Sequence, residues 1–153
     1  MDLPPTAKYL LDWFIRYVKN RDLAFRRIAD VVEEGNKAII KQKDGKAVHY
    51  YVEPFPQDFK ALADSIKEEH CGIVVYNSET NFDKMLSAWN KLSAMPGLTI
   101  YFINPFSKLD KRWIIRPHVH AKISDAESLE QGLRSMFVMV EPISEKEVEQ
   151  LTS

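Results

Sequence analysis

Apolar positions repeat along this chain at two periods, one suited to helices and one to strands, and short unbroken apolar runs lie between them. After Pro4 and Pro5, Thr6 suits an N-cap, and the spacing predicts a helix to about Asn20. Its charged residues Lys8, Asp12, Arg16 and Lys19 form one narrow stripe, while Leu10, Leu11, Trp13, Phe14, Ile15, Tyr17 and Val18 cover the rest. A helix so broadly apolar must be buried on most sides, in the core or against a second copy of the chain. A second helix is expected from Asp22 to Glu34, with Phe25, Ile28, Ala29 and Val32 on one face and Gly35 as its stop.

The stretch KAIIKQKDGKAVHYYVEPF reads as a β-hairpin, because Asp44–Gly45 suits a type I′ turn between two β-rich runs. That turn would set Ile39 opposite Tyr50 and Ile40 opposite His49. A helix from about Gln57 to Glu69 follows, with Phe59, Leu62, Ala63 and Ile66 inward. GIVVYN then reads as a buried strand, NFDKMLSAWNKLSA as a helix and LTIYFIN as another buried strand. Strand, helix and strand with short connections make a βαβ unit with parallel strands. RWIIRPHVHAKI, residues 112 to 123, is expected to be a further strand. Ser124 or Asp125 should cap a helix to about Val140, and Ser144 with Glu147 forms a capping box for a last short helix. The expectation is a single α/β domain over residues 1–153. It has a mixed sheet, an N-terminal helical pair, a β-hairpin and one βαβ unit flanked by helices.

As an alternative, this order of elements broadly resembles a restriction-endonuclease-like α/β/α architecture. That chemistry needs an Asp on one strand and a (D/E)xK triplet on the next, so that carboxylates hold Mg²⁺ and the lysine orients the attacking water. VHYYVEPF and GIVVYNSE supply no such triplet, and Glu53 is followed by Pro54 and Phe55. The likeness is one of architecture without matching residues, so a scaffold of this kind would be catalytically degenerate, and no family follows from it.

Composition narrows the class. The 153 residues are 45% hydrophobic and 28% charged, as in ordinary folded proteins, and are enough for one core. Cys71 stands alone, which rules out an intramolecular disulfide and a cysteine zinc cluster, and its apolar setting suits a buried thiol. The first twenty residues are interrupted by Asp12 and Arg16 and lack a basic leader before an apolar core. No apolar run reaches the roughly 18 residues of a membrane span. These features predict a soluble, cytoplasmic protein.

The net charge of −1 hides an uneven distribution. Residues 8–27 carry Lys8, Arg16, Lys19, Arg21, Arg26 and Arg27 against Asp12 and Asp22. Residues 107–123 carry Lys108, Lys111, Arg112, Arg116 and Lys122 against Asp110 alone, and residues 124–153 are strongly acidic. Local fields can therefore be strong where the global one is weak.

Candidate chemistry is sparse. There is no glycine-rich phosphate loop and no GxSxG elbow, so the sequence names no catalytic residue and no cofactor, and leaves open whether the protein is an enzyme. The carboxyl ends of the two parallel strands would bring Asn77, Ser78, Thr80, Asn104, Ser107 and Lys108 to one crevice, where ligands often bind. On a strand, residues 112–123 would place Arg112, Arg116, His118, His120 and Lys122 on one side.

Three readings of that row stay open. It could follow the phosphates of DNA, RNA or another polyanion, with Lys108 and Lys111 at its rim, because alternate strand residues repeat at about 6.5 to 7 Å. His118 and His120 could instead chelate one ion of a metal-dependent hydrolase, with a third ligand from elsewhere. Or Pro117 marks an edge strand, whose basic side chains discourage aggregation in a structural or oligomeric protein without a ligand. The leading expectation is a nucleic-acid or polyanion-binding module without an intact hydrolytic motif. It would have no membrane partner, and the first helix is a candidate homo-oligomer contact.

Overall fold

The computed structural model describes residues 3–153, so Met1 and Asp2, the head of the stretch read above for a leader, lie outside it. A long first helix, α1 (Pro5–Phe25), leads into three strands, β1 (Ile28–Glu34), β2 (Lys37–Gln42) and β3 (Ala47–Val52). Then come α2 (Phe59–Ser65), β4 (Cys71–Tyr76), α3 (Glu79–Ser87), α4 (Trp89–Ser93) and β5 (Leu98–Ile103). The chain finishes with β6 (Arg112–Ile115), α5 (Pro117–Ile123), α6 (Ala126–Met139) and α7 (Glu145–Thr152). The six strands form one mixed sheet in sequence order. β1, β2 and β3 pair antiparallel, β3, β4 and β5 pair parallel, and β6 runs antiparallel along the edge of β5.

Every residue of β4 is buried, as a continuous apolar run with cover on both faces should be. Alternation divides its side chains between two cores. On the first face Ile73 and Val75 join Phe102, Trp113 and Ile115 of the neighbouring strands under Phe59, Phe82, Met85, Leu92, Leu133 and Phe137 of α2, α3, α4 and α6. On the second face Val74 and Tyr76 join Tyr101 and Ile103 under Leu10, Leu11, Phe14 and Ile15 of α1 and Val148 of α7. The fold is thus three layers, with β6 at one sheet edge and α1 crossing the second face. Among the described residues no helix is long and apolar enough to cross a membrane.

The mixed sheet, the parallel β4–β5 crossover, the Asp125 cap of α6 and the Ser144/Glu147 capping box follow the sequence expectation. The helical pair does not. The carboxylate of Asp22 accepts from the backbone N–H groups of Arg27 and Ile28, at 2.8 and 3.0 Å, and Arg26 closes α1 in the left-handed conformation. The chain therefore turns at the residues expected to open a second helix, and Ile28–Glu34 is β1. Its β-branched residues pair with β2, Val31 opposite Ile40 and Val32 opposite Ile39. A spacing that fits a helix face is overridden by strand pairing.

The hairpin is also slipped by one residue from the expected register, with Ile39 opposite His49 and Ile40 opposite Val48. Its loop has three residues, not two, because the N–H of Lys43 is taken by the carbonyl of Arg27 and Gly45 adopts φ +90°. The expected helix to Glu69 ends at Ser65, and the expected helix after β4 is broken at Ala88 into α3 and α4. A second parallel connection, β3 to β4 through α2, adds to the single βαβ unit that was expected.

The largest correction falls on residues 112–123. Only Arg112–Ile115 is strand; Pro117 opens α5. Proline's fixed φ suits the first helical turn, where its missing N–H costs nothing, and it holds Arg116 extended as the N-cap. Proline here marks a helix start rather than an edge strand, although β6 does lie at the edge.

Candidate functional site

The basic row is consequently divided. Arg112 alone lies on the strand, on the second face of the sheet, since Trp113 and Ile115 face the first. Lys108 and Lys111 lie in the preceding loop; the Lys108 N–H meets the Glu141 carboxylate, and the Lys111 ammonium donates to the carbonyl of Pro105 at 3.0 Å. Arg116 caps α5 at the far end of β6, and His118, His120 and Lys122 follow on the helix. Helical residues two apart point about 200° from each other, so His118 and His120 do not converge on one ion. Nδ1 of His118 is instead 2.9 Å from the carbonyl of Ser93. Among the described residues no group of three or more His, Cys, Asp or Glu is arranged to hold a metal.

Arg112 meets the other basic segment. Its Nε donates to the hydroxyl of Tyr17 at 2.6 Å, and its guanidinium lies 5.0 Å from the centre of that ring. Arg21, one turn further along α1, donates to the same hydroxyl at 3.3 Å and lies 5.9 Å from the ring. Tyr17 therefore joins the two cationic stretches of the sequence on one face. Trp13 stacks on the Tyr17 ring, centroids 5.4 Å apart and planes 7° from parallel. Arg16 shares a shallow recess with Trp13, Tyr17 and Asn20. Among the described residues Arg16, Arg21, Arg27 and Arg112 have no carboxylate within ion-pairing distance. Asp110 borders a hollow with Arg112 but forms no ion pair with it.

Beside Tyr17, between the C-terminal half of α1 and strands β2, β3 and β5, lies an open cavity of about 300 Å³. Tyr50 and Tyr101 line it, in edge contact with each other, together with Arg21, Phe25 and Arg27. Tyr50 can lie there because Gly72 on β4 has no side chain; a Cβ at that position would collide with the Tyr50 ring. Burial raises the hydroxyl pKa of both Tyr50 and Tyr101, so both are neutral hydrogen-bonding groups at pH 7. The sequence carried part of this arrangement, in the charge excess of residues 8–27 and the Tyr17/Arg21 spacing of one helical turn. It gave no signal for Tyr50 and Tyr101, which join only through the sheet.

The crevice expected at the carboxyl ends of β4 and β5 is closed by the protein's own backbone. The amide of Asn77 donates to the carbonyls of Phe137 and Val140 at 3.1 and 3.0 Å, and its oxygen accepts from the Trp113 indole at 2.7 Å. Asn104 donates to Glu141, and Ser78 caps α3. These groups fasten the last two helices and offer nothing outward. Nearby, the ends of β2 and β3 bring the amide of Asn36 to 2.6 Å from Glu53, whose pKa is raised by burial. One carboxylate facing an amide, without a lysine, does not make a two-carboxylate magnesium site. Comparison with protein-family models, with curated proteins and with solved structures gives no match.

Proposed function

We propose that the protein is a binding module for nucleic acid or a related polyanion, without hydrolytic machinery, and that its contact surface is centred on Tyr17. The observation that carries this reading is that Arg21 and Arg112 both donate to the Tyr17 hydroxyl and, among the described residues, have no acidic partner. Unpaired guanidinium groups at an aromatic ring suit phosphates with bases or sugars beside them. Arg16 on α1 and Arg27 in the turn after it extend the surface, and Lys108 and Lys111 form its rim. Arg116, His118, His120 and Lys122 belong to the far end of β6 and are not part of it. The leading helix, central strands and flanking helices also broadly suit the restriction-endonuclease-like alternative, which would be catalytically degenerate here.

The test is titration of a fluorescein-labelled oligonucleotide of about 20 nucleotides at about 50 and 200 mM salt, by anisotropy. Arg21→Ala with Arg112→Ala should weaken binding by at least about tenfold and reduce the salt slope by about 1.4, the loss of two single-strand phosphate contacts. Arg116→Ala with Lys122→Ala should change little. No binding at the lower salt, or equal affinity for wild type and the Arg21/Arg112 variant, overturns the reading. A loss confined to the Arg116/Lys122 variant moves the site to α5.

A further inference from the structure

The cavity beside Tyr17 has a composition that phosphate binding alone does not require. Its lining includes four aromatic residues, Tyr17 and Phe25 from α1 and Tyr50 and Tyr101 from the sheet, and the three tyrosines carry polar tips. Phe25 is 61% exposed, so its ring is not there to complete a core. Arg27 lies over it, 5.2 Å from the ring centre, and Arg21 also lines the cavity. The one acid in the lining, Asp22, has its two oxygens engaged by the N–H groups of Arg27 and Ile28. The hollow thus brings two cations and four aromatic rings into one lining. Its volume of about 300 Å³ is at the small end of ligand pockets, the scale of one flat ring system rather than a whole cofactor.

We propose that this cavity receives one unpaired base of a single-stranded nucleic acid, with Arg21 and Arg27 on the adjoining phosphates; the proposal rests on the polyanion-binding reading above. A duplex keeps its base faces inside its own stack and could use only the arginines. A single strand exposes both phosphates and π faces, and every base has a face to stack. The hydroxyls of Tyr50 and Tyr101 and the amide of Gln42, which also borders the cavity, can meet base edges. The same pocket accepts DNA or RNA on these grounds, since nothing in it singles out a sugar hydroxyl.

Three labelled probes of equal length and sequence separate the possibilities: a mixed-sequence single strand of about 12 nucleotides, the same strand with abasic sites throughout, and its duplex. The expected result is that the single strand binds roughly tenfold or more tighter than the abasic strand and the duplex, the scale of one to two stacked bases. Phe25→Ala and Tyr17→Leu should each lower the ratio of single-strand to abasic affinity toward one. Circular dichroism checks that both variants fold, and the exposed Phe25 is the safer of the two. Equal affinity for all three probes, with a steep salt dependence, overturns base insertion and leaves the polyanion reading standing. A duplex preferred over the single strand also overturns it. No binding of any probe overturns both.

Discussion

Tyr50 and Tyr51 are neighbours on β3 and face opposite sides of the sheet, and the two sides treat charge differently. On the Tyr51 side, Lys37 lies 5.2 Å from the ring and is ion-paired with Glu68 at 3.1 Å, and the Tyr51 hydroxyl donates to the same carboxylate. On that side too, Arg134 covers Phe82 at 4.8 Å and is held by Glu79 and Asp83 at 3.0 and 3.7 Å. On the Tyr50 side, Arg21 and Arg112 lie at Tyr17 with no acid among the described residues to hold them. The same contact, a cation on an aromatic face, is closed by a carboxylate in one core and left open at the other. Exposed ion pairs contribute little to stability, so the difference matters chiefly for the field outside the protein. In the first core the cation is held in place by carboxylates, and around Tyr17 the two guanidinium groups are left open to the outside.

Substitutions can break or sharpen that contrast. The largest effect is expected for Phe102→Ala, which removes a fully buried ring stacked on Trp113 at 4.4 Å. It should cost about 4 kcal/mol in urea unfolding. Asn77→Ala follows, at about 2 to 3 kcal/mol, because the Trp113 indole and two carbonyls lose their partner in a buried site. Arg21→Ala and Arg112→Ala, by contrast, should each change stability by no more than about 0.5 kcal/mol, since they remove exposed groups. A loss as large as that of Asn77→Ala would mean that these arginines serve the fold, and the contrast between the faces would collapse.

Much of the architecture was legible in local pattern. The buried run of β4, the helix after it and the run of β5 each satisfy one period only, and their short connections leave one topology. The capping signals at Asp125 and Ser144 are local chemistry, which sequence displays directly. The failures share a cause. Residues 28–34 and 112–123 each fit two periods, and the choice was made by something outside the segment: the Asp22 carboxylate and the β2 ladder for the first, and the packing of α5 on α4 through His118 and Ser93 for the second. Pro117 carried the decisive local signal, but a proline suits an edge strand and a first helical turn equally. The candidate site was half legible. The charge balance of both basic segments was plain, but their meeting at Tyr17 joins residues 95 positions apart in the chain and depends on β6 lying beside β5.

The smallest effect concerns pH and separates the two faces by titration. Glu68 accepts from Tyr51 and is paired with Lys37, and these contacts hold its carboxyl at about 2, well below the ordinary 4.5. His49 Nδ1 lies 3.3 Å from the same oxygen. A carboxyl whose pKa is lowered by folding stabilises the folded state above its unfolded pKa and loses that contribution as pH falls toward the folded value. Wild-type stability should therefore decline between about pH 4.5 and 2 more steeply than that of Glu68→Gln, which has no proton to take up there. The arginines of the second face do not titrate in this range, so the Arg21/Arg112 variant should keep the wild-type pH profile. Urea midpoints at several pH values measure all three. Coincident profiles for wild type and Glu68→Gln would remove the Glu68 contact from the first face and, with it, one of the two acid-closed cations on which the contrast stands.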